Sequence, residues 1–474
     1  MKIQDIQKLY AMLPQAGAIL KIQEDKSVKT VFLQGLVASA ASMFFASIAE
    51  RWKTTTVFIL NDNDEAGYFY NDLKTIAMPA DGEGKVAEVL FFPSSYRRAV
   101  KYGQRDAGNE ILRTEVLTRL SALASETDNA LPLYIVTEPS ALSELVVSKK
   151  QLDERRLTLT VDQHIDIVEV EKTLRSFGFT ETDYVYEPGQ FAVRGSIIDV
   201  YSFSNELPFR IDFFGDDIET IRSFEVETQL STERLTRVEI VPELTTMSEE
   251  KVPFLQFLPE DAVLAFKDFL YVRDAIDNIY QEGFTNQALT EKLEGKTELE
   301  QRELEQAYRK EGQLVPASRW MNDALDFRRI EFGINHSTSD QAKKKDGSRA
   351  TINFSTSPQP LFHKNFDLLS KTLRDYLLQG YKLYIFADSE KQTVRLRDIF
   401  DSLSDTNVSP DSENLSVAEL SGEGRDATVG ALPFTPVNRT LHEGFVDSTL
   451  KVCFFTDHQI FDRFHKYNLK SDKA

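Results

Sequence analysis

Cysteine is almost absent from this chain. Its 474 residues hold one, Cys453, so neither an intrachain disulfide nor a thiolate zinc site can form, and a reducing, cytoplasmic setting is expected. Histidine is sparse as well. The six histidines, His164, His336, His363, His442, His458 and His465, form no HxxxH or HExxH pair. His458 and His465 lie seven apart on an expected helix, which is a poor basis for a metal site. Positive charge is in deficit, with 55 basic against 75 acidic side chains for a net charge of −20. That balance argues against wrapping nucleic acid through bulk charge, although a local basic patch stays open. Long apolar runs are missing too. The most apolar stretch begins at Val31 and is broken by Gln34, Gly35 and several serines, which suits a buried strand, turn and helix better than a membrane span. The opening MKIQDIQKLYAML carries Lys2, Asp5 and Lys8 where a signal peptide would need an apolar core.

What is present is the composition of a soluble globular chain, 41% hydrophobic and 27% charged. Its length suits about three domains at roughly 150 residues each. Residues 28–61 have a β-α-β pattern: VKTVFLQG, a helix from Ser39 to Trp52, then TTTVFILND. Further strands are expected at 86–95 and 131–140, with an amphipathic helix over 109–124 between them. Continuous apolar strands alternating with helices predict an α/β fold with a parallel sheet buried on both faces. The pattern changes near residue 150. DYVYEPGQFAVRGSIIDVYSF and LPFRIDFFGDDIETIRSFEVETQ alternate apolar and polar residues around Pro188-Gly189 and Gly215-Asp216, as half-exposed antiparallel hairpins do. The division expected is 1–149 as a first α/β unit, 150–245 as an inserted α+β hairpin domain, 246–365 completing the first unit, and 366–474 as a small separate α/β domain. Residues 289–311 are expected as a charged helix, KKKDGS (343–348) as a basic turn and 401–425 as an acidic surface loop.

The first strand-turn-helix is where a phosphate-binding loop would sit. That chemistry needs G-x-x-x-x-G-K-(S/T), in which glycine amides cradle phosphate, lysine meets the β/γ oxygens and the hydroxyl holds magnesium. Here the window is GLVASAAS: Gly35 and Ser42 fall in place, but Ala40 replaces the second glycine and Ala41 the lysine. The partner motif, an apolar strand ending in Asp-Glu, has its best candidate in AVLAFKDF, where Phe266 and Lys267 occupy the acidic positions and Asp268 comes one place late. Two independent defects leave a nucleotide-binding shape without its chemistry, and no cofactor is expected. Cys453, inside KVCFF, is expected as a buried thiol, and Asp216-Asp217 as turn residues. In the hairpin domain Tyr184, Tyr186, Phe191, Tyr201, Phe203, Phe213 and Phe214 crowd around Arg194, Arg210 and Arg222. Either all of these aromatics are core, or one face of the sheet presents an arginine-aromatic surface of the kind that anchors protein partners.

The stretch 191–231, FAVRGSIIDVYSFSNELPFRIDFFGDDIETIRSFEVETQLS, closely resembles a signature shared by the UvrB excision-repair helicases and the transcription-repair coupling factor (Mfd) family. FFPSSYRRAVKYGQRDAGNEILRTEVLTRL (91–120), SPQPLFHKNFDLL (357–369) and LHEGFVDSTLKVCFFTDHQIFDR (441–463) are also similar to coupling-factor segments, in the right order. The degenerate phosphate loop and the lack of a tyrosine-rich hairpin in the FPSSYRRAV region favour the coupling factors over UvrB itself. The resemblance implies a degenerate helicase-like core whose inserted domain binds UvrA. The arginine of V-R-G falls on Arg194 and the aromatic before it on Phe191, while Ala192 stands where UvrB proteins carry a second arginine. Tyr186 and Arg222 are further candidates on neighbouring strands.

It also implies that the intact family protein continues into a domain for RNA polymerase and two motor domains that act on DNA with ATP, beyond KSDKA. On this reading the chain is a fragment, a non-catalytic module that recruits UvrA to stalled transcription and restrains the motor of its own full-length chain, with no membrane role. The alternatives are a UvrB-type ATP-dependent helicase fragment with unusual nucleotide contacts and a module that binds DNA alone.

Overall fold

The computed structural model describes residues 3–77, 85–95, 106–123, 131–244, 250–282, 297, 301, 312–333, 348–387, 389–406 and 434–463. Seven strands form one all-parallel sheet in the order Ser348–Asn353, Val28–Gln34, Arg328–Gly333, Val263–Phe266, Thr56–Ile59, Leu133–Thr137, Glu88–Phe92. The strand runs Leu133–Thr137 and Val263–Phe266 are buried at every position, as two-sided burial of a parallel sheet requires. The helices Ala40–Trp52 and Asn63–Ala77 cover one face, with Phe44, Phe45, Trp52 and Phe69 in the core they enclose. On the other face lies a second core built around Phe92, Phe254, Phe266, Phe269 and Trp320. Phe254 belongs to a short 3-10 turn that stacks on Phe92 with ring centroids 4.2 Å apart.

A six-stranded sheet occupies the middle of the chain. Its order is Ser231–Leu235, Asp217–Phe224, Phe209–Phe214, Ile197–Val200, Gln190–Arg194, Thr180–Glu181, antiparallel except for the last pair. Its inner face packs under helix Ile167–Ser176 through Val170 and Leu174, whose buried positions four apart give the helix its apolar stripe. That helix is capped at its start by Asp166, whose carboxylate accepts from Val168 N at 2.8 Å. A two-stranded ribbon, Leu157–Thr160 against Arg237–Ile240, brings the two ends of this unit together.

A third sheet of five strands holds Thr356–Pro358, Phe445–Asp447, Val452–Thr456, Lys382–Phe386 and Thr435–Val437. It does not stand apart from the first sheet. Tyr10, on helix Ile3–Ala11, packs its ring against Phe445 and Phe454 and donates to Asp447 Oδ2 at 2.8 Å, and Phe44 meets Phe354 at 4.9 Å. One apolar core therefore serves both sheets. The acidic loop expected from residue 401 begins later, because helix Glu390–Thr406 continues to Thr406. The rest of that loop, most of the charged helix 289–311 and 343–347 of the basic turn lie outside the described residues. His458 sits on a four-residue helix, Asp457–Ile460, and is buried, while His465 lies outside the described residues. Cys453 is fully buried, which pushes its thiol pKa up. No described helix is long and apolar enough to cross a membrane.

Candidate functional site

The crevice where a nucleotide would bind opens at the carboxyl edge of the parallel sheet, the usual ligand position in such folds. It encloses about 450 Å³ between the Gly35–Ser39 turn, Asn61, Glu65, Tyr68, Lys267, Asp268 and the loop at His442 and Glu443. Gly35 has φ +90, and a Cβ there would lie 2.2 Å from the Phe354 carbonyl oxygen. The first glycine of the motif is thus required by packing, with no phosphate involved. Ala40 and Ala41 are buried at the helix start, and Ala41 brings to the crevice lining a methyl group where a phosphate loop has an ammonium. The Ser42 hydroxyl, expected on magnesium in a working site, is buried and donates to Ser39 O at 2.9 Å. Lys267 pairs with Glu65, so the strand end that should carry acids holds a neutralised cation.

A peptide from the third sheet reaches into this crevice. Ser39 N donates to Glu443 O at 3.3 Å, Glu443 N donates back to Ser39 Oγ at 3.0 Å, and His442 N donates to Asp72 Oδ1 at 2.7 Å. The Ser39 hydroxyl also bonds the other Asp72 oxygen. The His442 ring stacks on Tyr68 with centroids 3.6 Å apart. Asp72 is buried, and desolvation raises its pKa to about 7 against the lowering effect of the Ser39 and His442 hydrogen bonds.

The second site is the outer face of the six-stranded sheet. Strand register aligns Ala192, Asp199, Arg210, Arg222 and Arg234 in one row across it. Asp199 is fully buried and accepts from Arg194 and from Arg210 Nε at 2.7 Å and Nη2 at 2.9 Å. Arg222 lies 3.6 Å from Asp212 in the same face. The Arg194 guanidinium sits 5.2 Å from the Tyr184 ring centroid. Tyr184, Tyr186 and Phe214 are 49%, 56% and 77% exposed, so this face is an arginine-aromatic surface.

Phe191, expected as its anchor, is instead fully buried. It pairs with Val200 and points into the inner core, because strand alternation sends 191 and 193 inward and 192 and 194 outward. Tyr201, Phe203 and Phe213 are buried as well. Arg210 and Phe214 are the residues that motif matching passed over. Both share the outward parity of the Phe209–Phe214 strand, which was the available signal. No cluster of metal-ligating side chains occurs among the described residues.

A parallel α/β core whose first strand-turn-helix lacks the second glycine and the lysine of a phosphate loop stands in one chain with an antiparallel sheet that bears an arginine-aromatic face. Residues 157–245 match the family described as the UvrB interaction domain. The chain is 25% identical over 244 residues to the transcription-repair-coupling factor of Bacillus subtilis, covering 51% of this chain and 20% of that one. Against the same factor of Borreliella burgdorferi it is 25% identical over 291 residues, 57% of this chain and 26% of the relative. Against that of Staphylococcus aureus the figures are 30% over 157 residues, 33% and 13%. The chain is thus similar to the transcription-repair-coupling factors over about half its length, and its residues 157–245 match the UvrB interaction domain family. It aligns with about a quarter or less of the length of these relatives.

Proposed function

We propose that this chain is a UvrA-docking, non-catalytic module of a transcription-repair coupling factor, with the outer face of the six-stranded sheet as the docking surface. The observation that carries this reading is the row of arginines around buried Asp199, flanked by exposed Tyr184, Tyr186 and Phe214, inside the segment matched to the UvrB interaction domain. Arg194 and Arg210 supply charge-assisted contacts, Phe214 and Tyr186 the apolar anchors, and Arg222 a peripheral charge. Bringing excision repair to stalled transcription and restraining the motor of an intact family protein belong to the same reading, as does the division at residues 149, 245 and 365. Contacts with RNA polymerase and DNA fall to other parts of such a protein, in keeping with the −20 charge here.

Calorimetry with purified UvrA tests the surface. The unaltered chain binds, and Arg194→Ala combined with Phe214→Ala weakens binding by about tenfold or more. Unchanged affinity in the double variant sinks the site assignment. The absence of catalysis is supported by Ala41 at the lysine position and by the peptide seated at Ser39. Micromolar binding of ATP with magnesium would overturn it in favour of a UvrB-type enzyme.

A further inference from the structure

The crevice has lost its nucleotide chemistry yet keeps its shape, and a segment 404 residues away in sequence fills the phosphate end. Ser39 is the residue whose amide, in a working phosphate loop, would point at the ligand; here it meets the Glu443 carbonyl. The loop is braced from behind. His458 Nε2 lies 2.8 Å from His442 O, Gln459 Oε1 accepts from Gly444 N at 2.7 Å, and Gln359 N donates to Gly444 O at 2.9 Å. A Cβ on Gly444 would stand 2.0 Å from Gln359 Oε1 and 2.7 Å from Phe454 O, so the segment fits only as glycine. Leu441 is buried in the core shared by the two sheets.

We propose that the former nucleotide crevice is a proton-sensitive latch, in which Asp72 holds the His442–Gly444 peptide of the five-stranded sheet against the Ser39 turn. The groups that face Asp72 set its response. From the turn comes the Ser39 hydroxyl, from the docked loop the His442 amide and the Glu443 carboxylate. Tyr68 lies on its own helix, and Glu65, Lys267 and Asp268 line the same cavity. Lys267 is already engaged by Glu65. The His442 imidazole lies 4.0 Å from the Glu443 carboxylate, and an ionised Asp72, itself buried, adds a second negative charge near Glu443.

The sign follows from burial. Burial raises the folded pKa of Asp72 from the ordinary carboxylate value to about 7. Once the loop lifts and water enters, the pKa returns toward the ordinary range. The closed latch binds more protons than the open one between those limits. It is therefore tightest below about pH 4, loosens as pH rises toward about 7, and levels off above.

Hydrogen exchange on the whole chain, read as protection factors for the amides at 439–444 and 36–43, tests this. Protection in both segments should fall by about tenfold or more between about pH 5 and about pH 8, with the Thr56–Ile59 strand unchanged. Asp72→Asn keeps a carbonyl for the His442 amide and cannot ionise, so its protection should be flat across that range. Tyr68→Ala removes the stacked ring and should lower protection in both segments at both pH values. If Asp72→Asn does not fold, the pH comparison in the unaltered chain together with Tyr68→Ala decides. Equal protection at the two pH values, the same fall in Asp72→Asn, or no effect of Tyr68→Ala overturns the latch.

Discussion

Asp199 is fully buried beneath two guanidinium groups, and the two arginines differ in what they lose if removed. Arg210 is 15% exposed, forks onto both Asp199 oxygens, donates to Gln229 O at 3.1 Å and lies 4.5 Å from the Phe224 ring. Arg194 is 37% exposed and adds one contact to a carboxylate that Arg210 already satisfies. Arg210→Ala should therefore cost about 2–3 kcal/mol of stability. Arg194→Ala should cost less than about 1 kcal/mol. Urea unfolding of the two variants checks the order, and a reversed order refutes this account of the pair. Arg194 is accordingly the cleaner probe of partner binding. The motif text singles out this arginine but misplaces its aromatic companion. Composition puts Phe191 and Phe214 on equal terms, and only the position of helix Ile167–Ser176 decides which face is covered. That is a tertiary fact, so Arg194, Tyr186 and Arg222 could be placed on this face from the sequence and Phe191 could not.

The element that was legible is the strand, turn and helix from Val28 to Trp52, because periodicity and a glycine at the strand end mark it locally. What fills the crevice was not, since the docking peptide carries no local signal and comes from another sheet. Two predictions follow at this scale. Gly35→Ala should destabilise the chain by about 2–4 kcal/mol, combining the strain of φ +90 with the approach to Phe354 O at 2.2 Å. A thermal melt within experimental error of the unaltered chain would rule out the packing role given to this glycine. Restoring the missing motif residues by Ala40→Gly and Ala41→Lys should not restore ATP binding. The peptide at His442 and Glu443 holds the phosphate end, and Asp72, Glu65, Asp268 and Glu443 surround it with acid. Calorimetry with ATP and magnesium decides, and a micromolar signal from the double variant contradicts occupancy by the peptide.

At the scale of the molecule, the cores of the described residues do not follow the four stretches expected from the sequence, although the five-stranded sheet keeps a core of its own around Leu369, Leu383 and Phe455. Both faces of the parallel sheet are closed by its own helices, and one of those cores runs on into the five-stranded sheet through Tyr10, Phe44 and Phe454. The six-stranded sheet has its own interior, and its ends meet in the ribbon of Leu157–Thr160 and Arg237–Ile240. Apolar continuity sets cooperativity, so the parallel and five-stranded sheets should melt together and the 157–240 unit separately. Tyr10→Phe removes the hydroxyl on buried Asp447 and should cost about 1–3 kcal/mol. It should lower only the transition of the shared core. Phe224→Ala empties a fully buried site in the small cluster with Val185, Ala192 and Tyr201 and should cost about 3–5 kcal/mol. It should lower only the other transition. Differential scanning calorimetry of both variants beside the unaltered chain measures this. One transition displaced by both substitutions would mean that the antiparallel unit is not energetically independent of the parallel sheet.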